Sequence, residues 1–282
     1  MFTAPALLIV LALAILPLCY GVWLSLTNWT LLQGPNAHYQ GLAAYHRLVN
    51  SDAFWAAFGR TLKWTAGTVA IEVIVGLPVA LLLNRRTPVT GAVTGLLLLP
   101  WVTPFVVLSY AWLYLYDGRF GPFHAALHAL HLAGAASPLS DPNRALWALT
   151  LVSGWKGVPF MAVALLAALK GIPDELYEAA AVDGAAAPRR FWHVTLPLLR
   201  PTLLTMSFVL GVLAFYSFDL VWLTTKGGPG DQSTIIGVQL YETFFSDGRP
   251  GYAAAIGTFT LMFFVVGAVG VGAVAAVRRR MA

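Results

Sequence analysis

Three ionisable side chains, Glu72, Lys156 and Asp219, lie within long apolar stretches of this chain. Charged groups at bilayer depth are costly unless they face protein partners or water, so such positions are candidates for a solute pathway. Lys156 is followed by Gly157 and Pro159, which allow close approach of a neighbour and loosen a helix around a cavity. Two roles for Lys156 stay open: it contacts a solute, or it pairs with an acid such as Asp219.

The stretch Phe215-Tyr216-Ser217-Phe218-Asp219 combines aromatic rings with hydroxyl and carboxylate groups. Carbohydrate recognition uses this combination, since a sugar ring has apolar faces and polar edges. An aromatic stripe at helical spacing also occurs in ordinary helix packing, and the residue types alone do not separate the two. For Glu72, we favour an interhelical hydrogen bond over solute contact.

Catalytic and metal-binding patterns are weak in this sequence. His124, His128 and His131 are spaced i, i+4 and i+7, which puts three imidazoles on one helical face and raises the question of a metal site. Their neighbours include phenylalanine and leucine, so an amphipathic helix at the membrane interface is the simpler explanation. There is no nucleophile elbow, and no lysine precedes the Ser or Thr that a phosphate-binding loop requires. We therefore expect no metal site, no cofactor bound by this chain and no enzymatic activity.

Residues 170–201 form a polar, basic segment between two apolar runs. Its first part predicts a short helix that ends at Gly184, where a left-handed C-cap costs little. Pro188 predicts the start of a second short helix. Pro197 and Pro201 are expected to redirect the chain into the next apolar run.

The first of these loop helices has a surface suited to docking. Ala179, Ala180 and Ala181 present little side-chain bulk, and Glu178 and Asp183 carry charge at the edges. Such a helix fits a groove on a partner protein. The alternative is an amphipathic loop on the lipid headgroups, which the following arginines and tryptophan would favour.

The elements that position these residues are predicted to be membrane helices. The 282-residue chain is 59% hydrophobic and 10% charged, whereas soluble domains carry about 25% charged residues. Six apolar stretches are long enough to cross a bilayer: residues 5–26, 65–83, 92–116, 145–169, 202–223 and 253–277. The sequence thus predicts an all-α membrane protein, with six transmembrane helices in a single domain over residues 1–282 and kinks at internal prolines.

Positive charge predicts the orientation of these helices. Nine basic residues lie in the connections after the second and fourth stretches and in the tail: Arg85, Arg86, Lys170, Arg189, Arg190, Arg200, Arg278, Arg279 and Arg280. The opposite side carries seven over a longer length of chain, so the dense side is predicted to be cytoplasmic, with both termini inside. Basic residues at helix ends suit anionic lipid headgroups and give no reason to expect nucleic acid as a partner.

Two further features concern the first stretch. It lacks a basic n-region and a cleavage site, so we expect a retained anchor and not a signal peptide. The single cysteine, Cys19, excludes an intrachain disulfide.

The polar loop closely resembles the EAA loop of ABC-importer permeases, whose pattern is Glu-Ala-Ala, three residues, Gly, then an apolar residue and prolines. Seven positions match this pattern: Glu178, Ala179, Ala180, Gly184, Phe191, Pro197 and Pro201. The resemblance extends over nearly the whole chain to the carbohydrate-type permeases of the maltose and glycerol-3-phosphate importers. It is carried by Gly41-Leu-Ala-Ala-Tyr45 with Phe54-Trp55, Trp155-Lys-Gly-Val-Pro-Phe160, Leu169-Lys-Gly-Ile-Pro173 and Leu223-Thr-Thr-Lys-Gly-Gly-Pro229.

This resemblance implies the type I ABC-importer permease fold and a non-hydrolytic subunit that forms half of the translocation path for a sugar or sugar-like solute. The implied partners are a second six-helix permease, two ATPase subunits that bind ATP and Mg²⁺, and an extracytoplasmic solute-binding protein. The implied location is the cytoplasmic (inner) membrane of a bacterium or archaeon. The residues implied in ATPase coupling are Glu178, Ala179, Ala180, Asp183, Gly184, Arg189, Phe191 and Pro197.

The resemblance also implies positions that line the solute path. Together with Asp219, which is a candidate from its depth in the membrane, the predicted path residues are Lys156, Gly157, Phe160, Val212, Phe215 and Tyr216. Maltose permeases have polar residues where Val212 and Tyr216 stand, so the sugar need not be maltose. Saccharides, polyols and glycerol-phosphate compounds all stay open.

A self-sufficient secondary transporter of a small polar solute is the alternative function. Such transporters usually show internal repeats, and none is visible here. The segments 27–58 and 225–252 are rich in Gly, Pro, Trp and Tyr. By resemblance they would face the binding protein, and the alternative is anchoring at the membrane surface.

Overall fold

Helices make up the secondary structure of the described residues, apart from an isolated antiparallel bridge between Thr27 and Tyr39. The computed structural model describes Ile9 and residues 11–33, 37–85, 90–131 and 136–281. Long apolar segments adopt helices in a bilayer because the helix satisfies every backbone polar group within the segment. The described helices are α1 (Leu16–Ser25), α2 (Ala43–Val49), α3 (Asp52–Leu83), α4 (Thr90–Leu97), α5 (Leu99–Val102), α6 (Phe105–Leu115), α7 (Pro122–Ala129), α8 (Ala145–Lys170), α9 (Asp174–Val182), α10 (Ala187–Arg190), α11 (Leu196–Phe215), α12 (Asp219–Thr224), α13 (Ile236–Tyr241) and α14 (Pro250–Met281).

Four described helices are long and apolar enough to cross a membrane, and a bent pair brings the number to five if the pair is one span. The four are α3, α8, the helical run Ala187–Thr224, which is interrupted at residues 216–218, and the segment Pro250–Gly267 of α14. A shorter apolar helix, Leu11–Ser25, lies in the first predicted stretch, of which residues 5–8 and 10 lie outside the described residues. Two predicted stretches extend further in the structure, because α3 begins at Asp52 and α14 ends at Met281.

The predicted third stretch, residues 92–116, is not one helix. The chain bends by 92° between the segments Gly91–Val102 and Phe105–Leu115. Thr103 and Pro104 are extended at the bend, with ψ angles of 126° and 141°. The proline ring disfavours the helical conformation of the preceding residue and provides no N–H, which accounts for the break.

The predicted fifth stretch, residues 202–223, also differs from a single span. Its helix α11 ends at Phe215, and α12 begins only at Asp219. At the other end the helical run begins well before residue 202, because a π-helical turn over Phe191–Thr195 joins α10 to α11.

The Cα positions divide the chain into two compact units, residues 1–58 with 236–282, and residues 59–235. In the first unit, α14 packs against α1 and α2. Edge-to-face ring pairs join Phe54 to Phe259 and Phe58 to Phe263, with centroids 5.4 and 5.2 Å apart. The single domain predicted from the sequence stays a prediction.

In the second unit, α8 is the central helix. Half of its most apolar window is buried, the largest share among the four long helices. It packs with α3 and α11 around a core of Ala80, Leu83, Met161, Leu165, Leu166, Leu169, Leu199 and Leu210. Trp64 of α3 donates its indole N–H to the carbonyl oxygen of Ala214 at 3.0 Å, which fixes α3 against α11. This packing holds the helix breaks described above next to α8.

Candidate functional site

The second unit contains a cavity of about 490 Å³. Its walls come from α3, α8 and the two helix breaks, one between α5 and α6 and the other between α11 and α12. Broken helices at membrane depth are tolerated where the freed backbone faces protein or a cavity. The lining residues are Thr68, Glu72, Trp101, Thr103, Pro104, Phe105, Ser153, Lys156, Gly157, Leu210, Leu213, Ala214, Tyr216, Ser217 and Asp219.

Lys156 holds the α5–α6 break in place. Its ammonium donates to three backbone carbonyl oxygens, those of Pro100 at 3.1 Å, Trp101 at 2.9 Å and Thr103 at 2.7 Å. The last carbonyls of a helix have no partner within the helix and carry partial negative charge. The ammonium also lies 4.7 Å from the ring centroid of Phe105, at the start of α6. One side chain of α8 thereby stabilises both sides of the bend.

This arrangement was not among the roles considered for Lys156, and its contact with a solute stays a prediction. No carboxylate among the described residues forms an ion pair with it, Asp219 included. An ammonium has three donors, and all three are directed at the backbone. Lys156 lines the cavity, but in this conformation it has no donor left for a solute.

Glu72 lies on the α3 wall, where it contacts Gly157 of α8. The side chain is only 3% exposed, and its Oε2 has no hydrogen-bond partner among the described residues. A Cβ on Gly157 would clash with Oε1 and would lie 2.6 Å from the carboxyl carbon. Gly157 therefore leaves room for the end of the Glu72 side chain in its observed conformation. The interhelical hydrogen bond predicted for Glu72 is not formed by Oε2.

The predicted path residues divide into two groups. Lys156, Gly157, Tyr216 and Asp219 line the cavity, whereas Phe160, Val212 and Phe215 are not among its lining residues. Phe160 stacks on the lining residue Trp101, with ring centroids 5.4 Å apart and planes 14° apart. Phe215 is 1% exposed and Val212 is half-buried. A role for these three in the solute path stays a prediction.

Sequence reasoning missed the cavity wall formed by the α5–α6 break. Trp101, Thr103 and Phe105 line the cavity because the bend turns this segment toward α8. The signal was present in Pro100 and Pro104, which indicated a kink but not its direction or size.

A second candidate site is the loop helix α9, which runs over Asp174–Val182 as predicted. No residue of α9 is buried, and Val182 at its end is 89% exposed. Glu178 and Ala179 are exposed and Ala180 is half-buried, so the Glu-Ala-Ala motif is accessible.

The end of α9 explains the glycine at position 184. Gly184 has a φ of +74°, as its predicted left-handed C-cap requires. Its N–H donates to the Ala181 carbonyl at 3.0 Å, and the Ala185 N–H donates to the Ala180 carbonyl at 2.9 Å. These two bonds form a Schellman motif. No atom lies within 4 Å of a Cβ placed on Gly184, so the requirement for glycine comes from the backbone and not from crowding.

The remaining loop residues lead directly into α11. Pro197 and Pro201 do not redirect the chain, in contrast to the prediction, because the helical run continues through both of them. Pro197 lies in the first turn of α11, where its missing N–H breaks no helical bond. Asp183 and Arg189 are exposed, and the Phe191 ring contacts Trp192 with centroids 5.3 Å apart.

One side-chain contact ties α9 to the start of this helix. The hydroxyl groups of Tyr177 and Thr195 lie 3.2 Å apart, and Thr195 is 5% exposed in the π-helical turn. This contact links α9 to the helical run that begins at Ala187.

The three histidines do not share one helical face in the structure. α7 ends at Ala129, and His131 lies beyond it with a φ of +58°. His124 is buried, whereas His128 is exposed. Within the described ranges, no group of three or more His, Cys, Asp or Glu residues is arranged to hold a metal ion.

The glycine-rich turn near residue 228 is closed by its own side chains. The Ser233 hydroxyl donates to the Gly228 carbonyl at 2.6 Å and lies 2.7 Å from the Thr225 hydroxyl. Arg60 of α3 donates to the Thr234 carbonyl at 2.9 Å, which fixes this turn to α3.

Comparison with known proteins matches this chain to one family over most of its length. Residues 72–282 match the family described as binding-protein-dependent transport system inner membrane component. The chain is 33% identical over 272 residues to the trehalose/maltose transport system permease protein MalF of Thermococcus litoralis, covering 93% of this chain and 91% of that protein. It is 33% identical over 257 residues to the trehalose transport system permease protein SugA of Mycobacterium tuberculosis H37Rv, covering 91% and 81%.

Two further comparisons extend these findings. The sulfoquinovosyl glycerol transport system permease protein SmoG of Agrobacterium fabrum is 32% identical over 255 residues, covering 90% of this chain and 82% of SmoG. Among solved structures, a chain of a bacterial alginate ABC transporter, crystallised with an alginate pentasaccharide-bound periplasmic protein, has a TM-score of 0.76 to this chain. The structural alignment covers 94% of this chain and 89% of the transporter chain, at 22% sequence identity. The two chains therefore share a fold.

Proposed function

This chain belongs to the family of binding-protein-dependent transport system inner membrane components, and we propose that it forms half of the membrane pathway of an ATP-driven sugar importer. It is a multi-pass inner-membrane permease and a non-catalytic subunit. The family membership sets aside the self-sufficient secondary transporter.

The cavity next to α8 supports a sugar or sugar-like solute. Its volume of about 490 Å³ lies in the range of small-molecule sites. Aromatic rings, hydroxyl groups and carboxylates line it together, which suits apolar ring faces and hydroxyl edges. The names of relatives at 32–33% identity mention trehalose, maltose or sulfoquinovosyl glycerol. The proposed path residues are Lys156, Gly157, Phe160, Val212, Phe215, Tyr216 and Asp219.

The exposed helix α9 is the observation that carries the coupling proposal. A helix with no buried residue, closed by a rigid Schellman motif, is suited to insertion into a partner's groove. We assign that groove to a partner ATPase that binds ATP and Mg²⁺. The proposed coupling residues are Glu178, Ala179, Ala180, Asp183, Gly184, Arg189, Phe191 and Pro197.

Coupling works as a shift between two permease states. ATP-driven closure of the ATPase pair must favour one state by about 5.5 kcal/mol to switch the permease almost completely. Movement of α9 reaches the helical run Ala187–Thr224 through the chain and through the Tyr177–Thr195 contact. The part of that run that ends at Phe215 leads to the cavity, and it is proposed to connect the solute site to the ATPase.

The full assembly and topology are part of the proposal. It has six spans with both termini in the cytoplasm, formed by the four long helices, the bent pair and the apolar segment before Ser25. A second six-helix permease completes the path, and two ATPase subunits and an extracytoplasmic solute-binding protein complete the importer. The alginate transporter solved with its periplasmic binding protein supports this arrangement by its fold.

The first prediction tests the coupling surface by co-purification. The chain is isolated from its native membrane in mild detergent, and the co-purifying proteins are identified by mass spectrometry. The wild type is expected to bring an ATPase and a second permease. Glu178→Arg is expected to lose the ATPase and keep the permease, because it reverses a charge on the exposed docking helix.

Glu175→Arg is the matched control, since it makes the same charge change one turn earlier on α9, also at an exposed position. It is expected to retain the ATPase. A wild-type chain recovered without any ATPase would contradict the proposed function. Retention of the ATPase by Glu178→Arg would contradict the assigned docking residue.

A further inference from the structure

We propose that a cleft at the far end of α6 and α12 receives a lysine side chain of the solute-binding protein, and that Asp117 is the group that binds it. This inference rests on the importer function proposed above and assigns a docking point to one of its partners. The cleft has a volume of about 340 Å³ and shares no lining residue with the solute cavity. Its polar lining includes Asp117, Ser137, Ser140, Thr224, Thr225 and the backbone of Gly228.

The cleft lies at the opposite end of a membrane span from α9. The helical run Ala187–Thr224 begins directly after the α9 loop, and its last residue, Thr224, lines the cleft. In the proposed topology this run crosses the bilayer once, as its apolar length allows. With α9 in the cytoplasm, the cleft opens on the extracytoplasmic side, where the binding protein acts.

Asp117 brings a carboxylate with one unoccupied oxygen to the cleft. Its Oδ1 already accepts the backbone N–H groups of Phe120 at 2.9 Å and Arg119 at 2.8 Å, which fixes the turn after α6. These two hydrogen bonds lower the pKa of Asp117, so the carboxylate stays charged. Asp117 forms no ion pair with another described residue. Its Oδ2 is therefore available to a cation from outside the chain.

The hydroxyl groups of the cleft act as acceptors as well. Ser140 donates its proton to the Ser137 carbonyl at 2.7 Å, and Thr224 donates to the Leu220 carbonyl at 2.6 Å. Thr225 likewise lies 3.2 Å from a backbone carbonyl oxygen one turn earlier. A hydroxyl has one proton and two lone pairs, so these groups have only acceptor capacity left. The cleft thus fits a side chain that is rich in donors.

The geometry of these acceptors favours lysine over arginine. A guanidinium binds a carboxylate best through two parallel hydrogen bonds, one to each oxygen. One oxygen of Asp117 is already occupied by two N–H groups, so this fork is not available. An ammonium has three donors that are not confined to a plane, and it can bind Oδ2 and neighbouring hydroxyl oxygens together.

The turn that follows α12 gives the cleft a rigid wall. Lys226 and Asp231 have positive φ angles of 50° and 60°, which are uncommon for residues other than glycine and persist only where the surroundings fix them. The bond from the Ser233 hydroxyl to the Gly228 carbonyl is one of the contacts that fix this turn. A wall that is already ordered loses little conformational entropy when a partner docks.

The two helices that end at the cleft also reach the solute cavity. α6 and α12 pack against each other. Their first residues, Phe105 and Asp219, line the cavity, whereas Leu113 and Thr224 near their other ends line the cleft. A binding protein docked in the cleft therefore contacts the helices whose starts form part of the cavity wall.

Zero-length crosslinking tests the assigned pair directly. A carbodiimide, which joins a carboxylate to a lysine amine in direct contact, is applied to intact cells that express the complete importer. Peptide mass spectrometry is expected to find Asp117 linked to a lysine of a solute-binding protein. Asp117→Asn is expected to lose this link and to keep the turn, because its amide oxygen still accepts the N–H groups of Arg119 and Phe120.

Affinity measurements then test the charge pair with the crosslinked binding protein and the complete importer in nanodiscs. Asp117→Asn is expected to weaken binding about fivefold, as for the loss of one accessible ion pair. Asp117→Lys is expected to weaken it further, and replacement of the crosslinked lysine by glutamate is expected to restore it. Asp247→Asn is the matched control, since it removes the same charge from an exposed position that does not line the cleft. It is expected to leave the affinity unchanged.

The outcomes separate this inference from the function on which it rests. A binding protein crosslinked to this chain only at other residues would overturn the docking point and leave the importer function standing. An Asp117 crosslink to the second permease, or equal affinities for Asp117→Asn and Asp247→Asn, would overturn it in the same way. If no solute-binding protein crosslinked to any subunit of the complex, the result would contradict the importer function itself.

Discussion

At the scale of single residues, Lys156 shows how one buried charge determines the shape of a site. A lysine in a membrane helix is costly, and here its cost is offset by three carbonyl oxygens freed by a helix break. The lysine acts as a positioning residue, since it binds the backbone carbonyls of Trp101 and Thr103, which line the cavity.

The second prediction concerns this lysine. Lys156→Met is expected to lower the free energy of unfolding of the chain by about 3 kcal/mol, because three carbonyls lose a charged donor. Thermal unfolding of the purified complex in detergent, followed by size-exclusion chromatography, measures the change. Lys156→Arg should recover only part of the stability, since a planar guanidinium fits three converging carbonyls poorly.

Lys170→Met is the control for this substitution. Lys170 lies on the same helix, is exposed and has no acceptor among its described contacts, so its loss is expected to change stability by less than about 0.5 kcal/mol. Equal stability of Lys156→Met and Lys170→Met would show that the three bonds to the break contribute nothing.

At the scale of elements, the loop helix α9 and the helix break at Thr103 are both defined by how a helix ends. α9 ends in a left-handed glycine whose neighbours satisfy the last carbonyls, so its surface is free for a partner. α5 ends without such a cap, and Lys156 from another helix supplies the donors. A helix end capped by its own backbone leaves the surface of α9 free for a partner. A helix end whose carbonyls bind a side chain of another helix, as in α5, is held against that helix and can form part of a cavity wall.

The third prediction is a graded series at the end of α9. The substitutions Gly184→Asn, Gly184→Ala and Gly184→Val are expected to reduce the amount of solute transported per ATP hydrolysed. The reduction is expected to be smallest for Asn and largest for Val. The φ of +74° is tolerated by Asn, costs Ala about 1 kcal/mol, and costs a β-branched residue more. Parallel assays of solute uptake and ATP hydrolysis in proteoliposomes give the ratio.

A matched control for this series is Gly171→Ala. Gly171 lies at the end of α8 with a φ of −84°, which alanine adopts without strain, and it is exposed. It is expected to keep the wild-type ratio. If Gly184→Val and Gly171→Ala behaved alike, the left-handed cap would not matter for coupling.

At the scale of the whole molecule, a basic apolar chain of this composition orients itself by its charges. The dense basic side is predicted to include the α9 loop and the tail, and the opposite side is predicted to contain the turn near Gly228. Orientation decides which face meets the ATPase and which meets the binding protein. The two candidate sites belong to one transport cycle only if the α9 loop is cytoplasmic.

The fourth prediction tests this orientation with single thiols. In a Cys19→Ala background, and with the chain expressed without its partner ATPase, Val182→Cys is expected to react with a membrane-impermeant maleimide only in inside-out vesicles, and Phe120→Cys only in spheroplasts. Both positions are well exposed, at 89% and 75%, so differences in labelling report the side of the membrane. Labelling of Val182→Cys from outside would reverse the predicted topology.

The sequence by itself determined the class of this protein, the positions of its long apolar segments and the loop helix α9. Apolar length and composition indicate membrane helices regardless of packing, because the bilayer acts on each segment separately. The loop helix and its glycine cap follow from neighbouring residues, since α9 ends through bonds among residues 180–185. The EAA pattern likewise lies within one short segment.

Only the tertiary structure decided how the cavity is built. Lys156 and the carbonyls that it binds are more than 50 residues apart, and Glu72 and Gly157 meet across two helices. Pro104 indicated a kink, but the 92° bend depends on what α8 places beside it. Hydrophobic and charge patterns predict where each helix lies and which environment surrounds it. The hydrogen-bond partners of buried polar groups depend instead on how helices that are distant in sequence pack together.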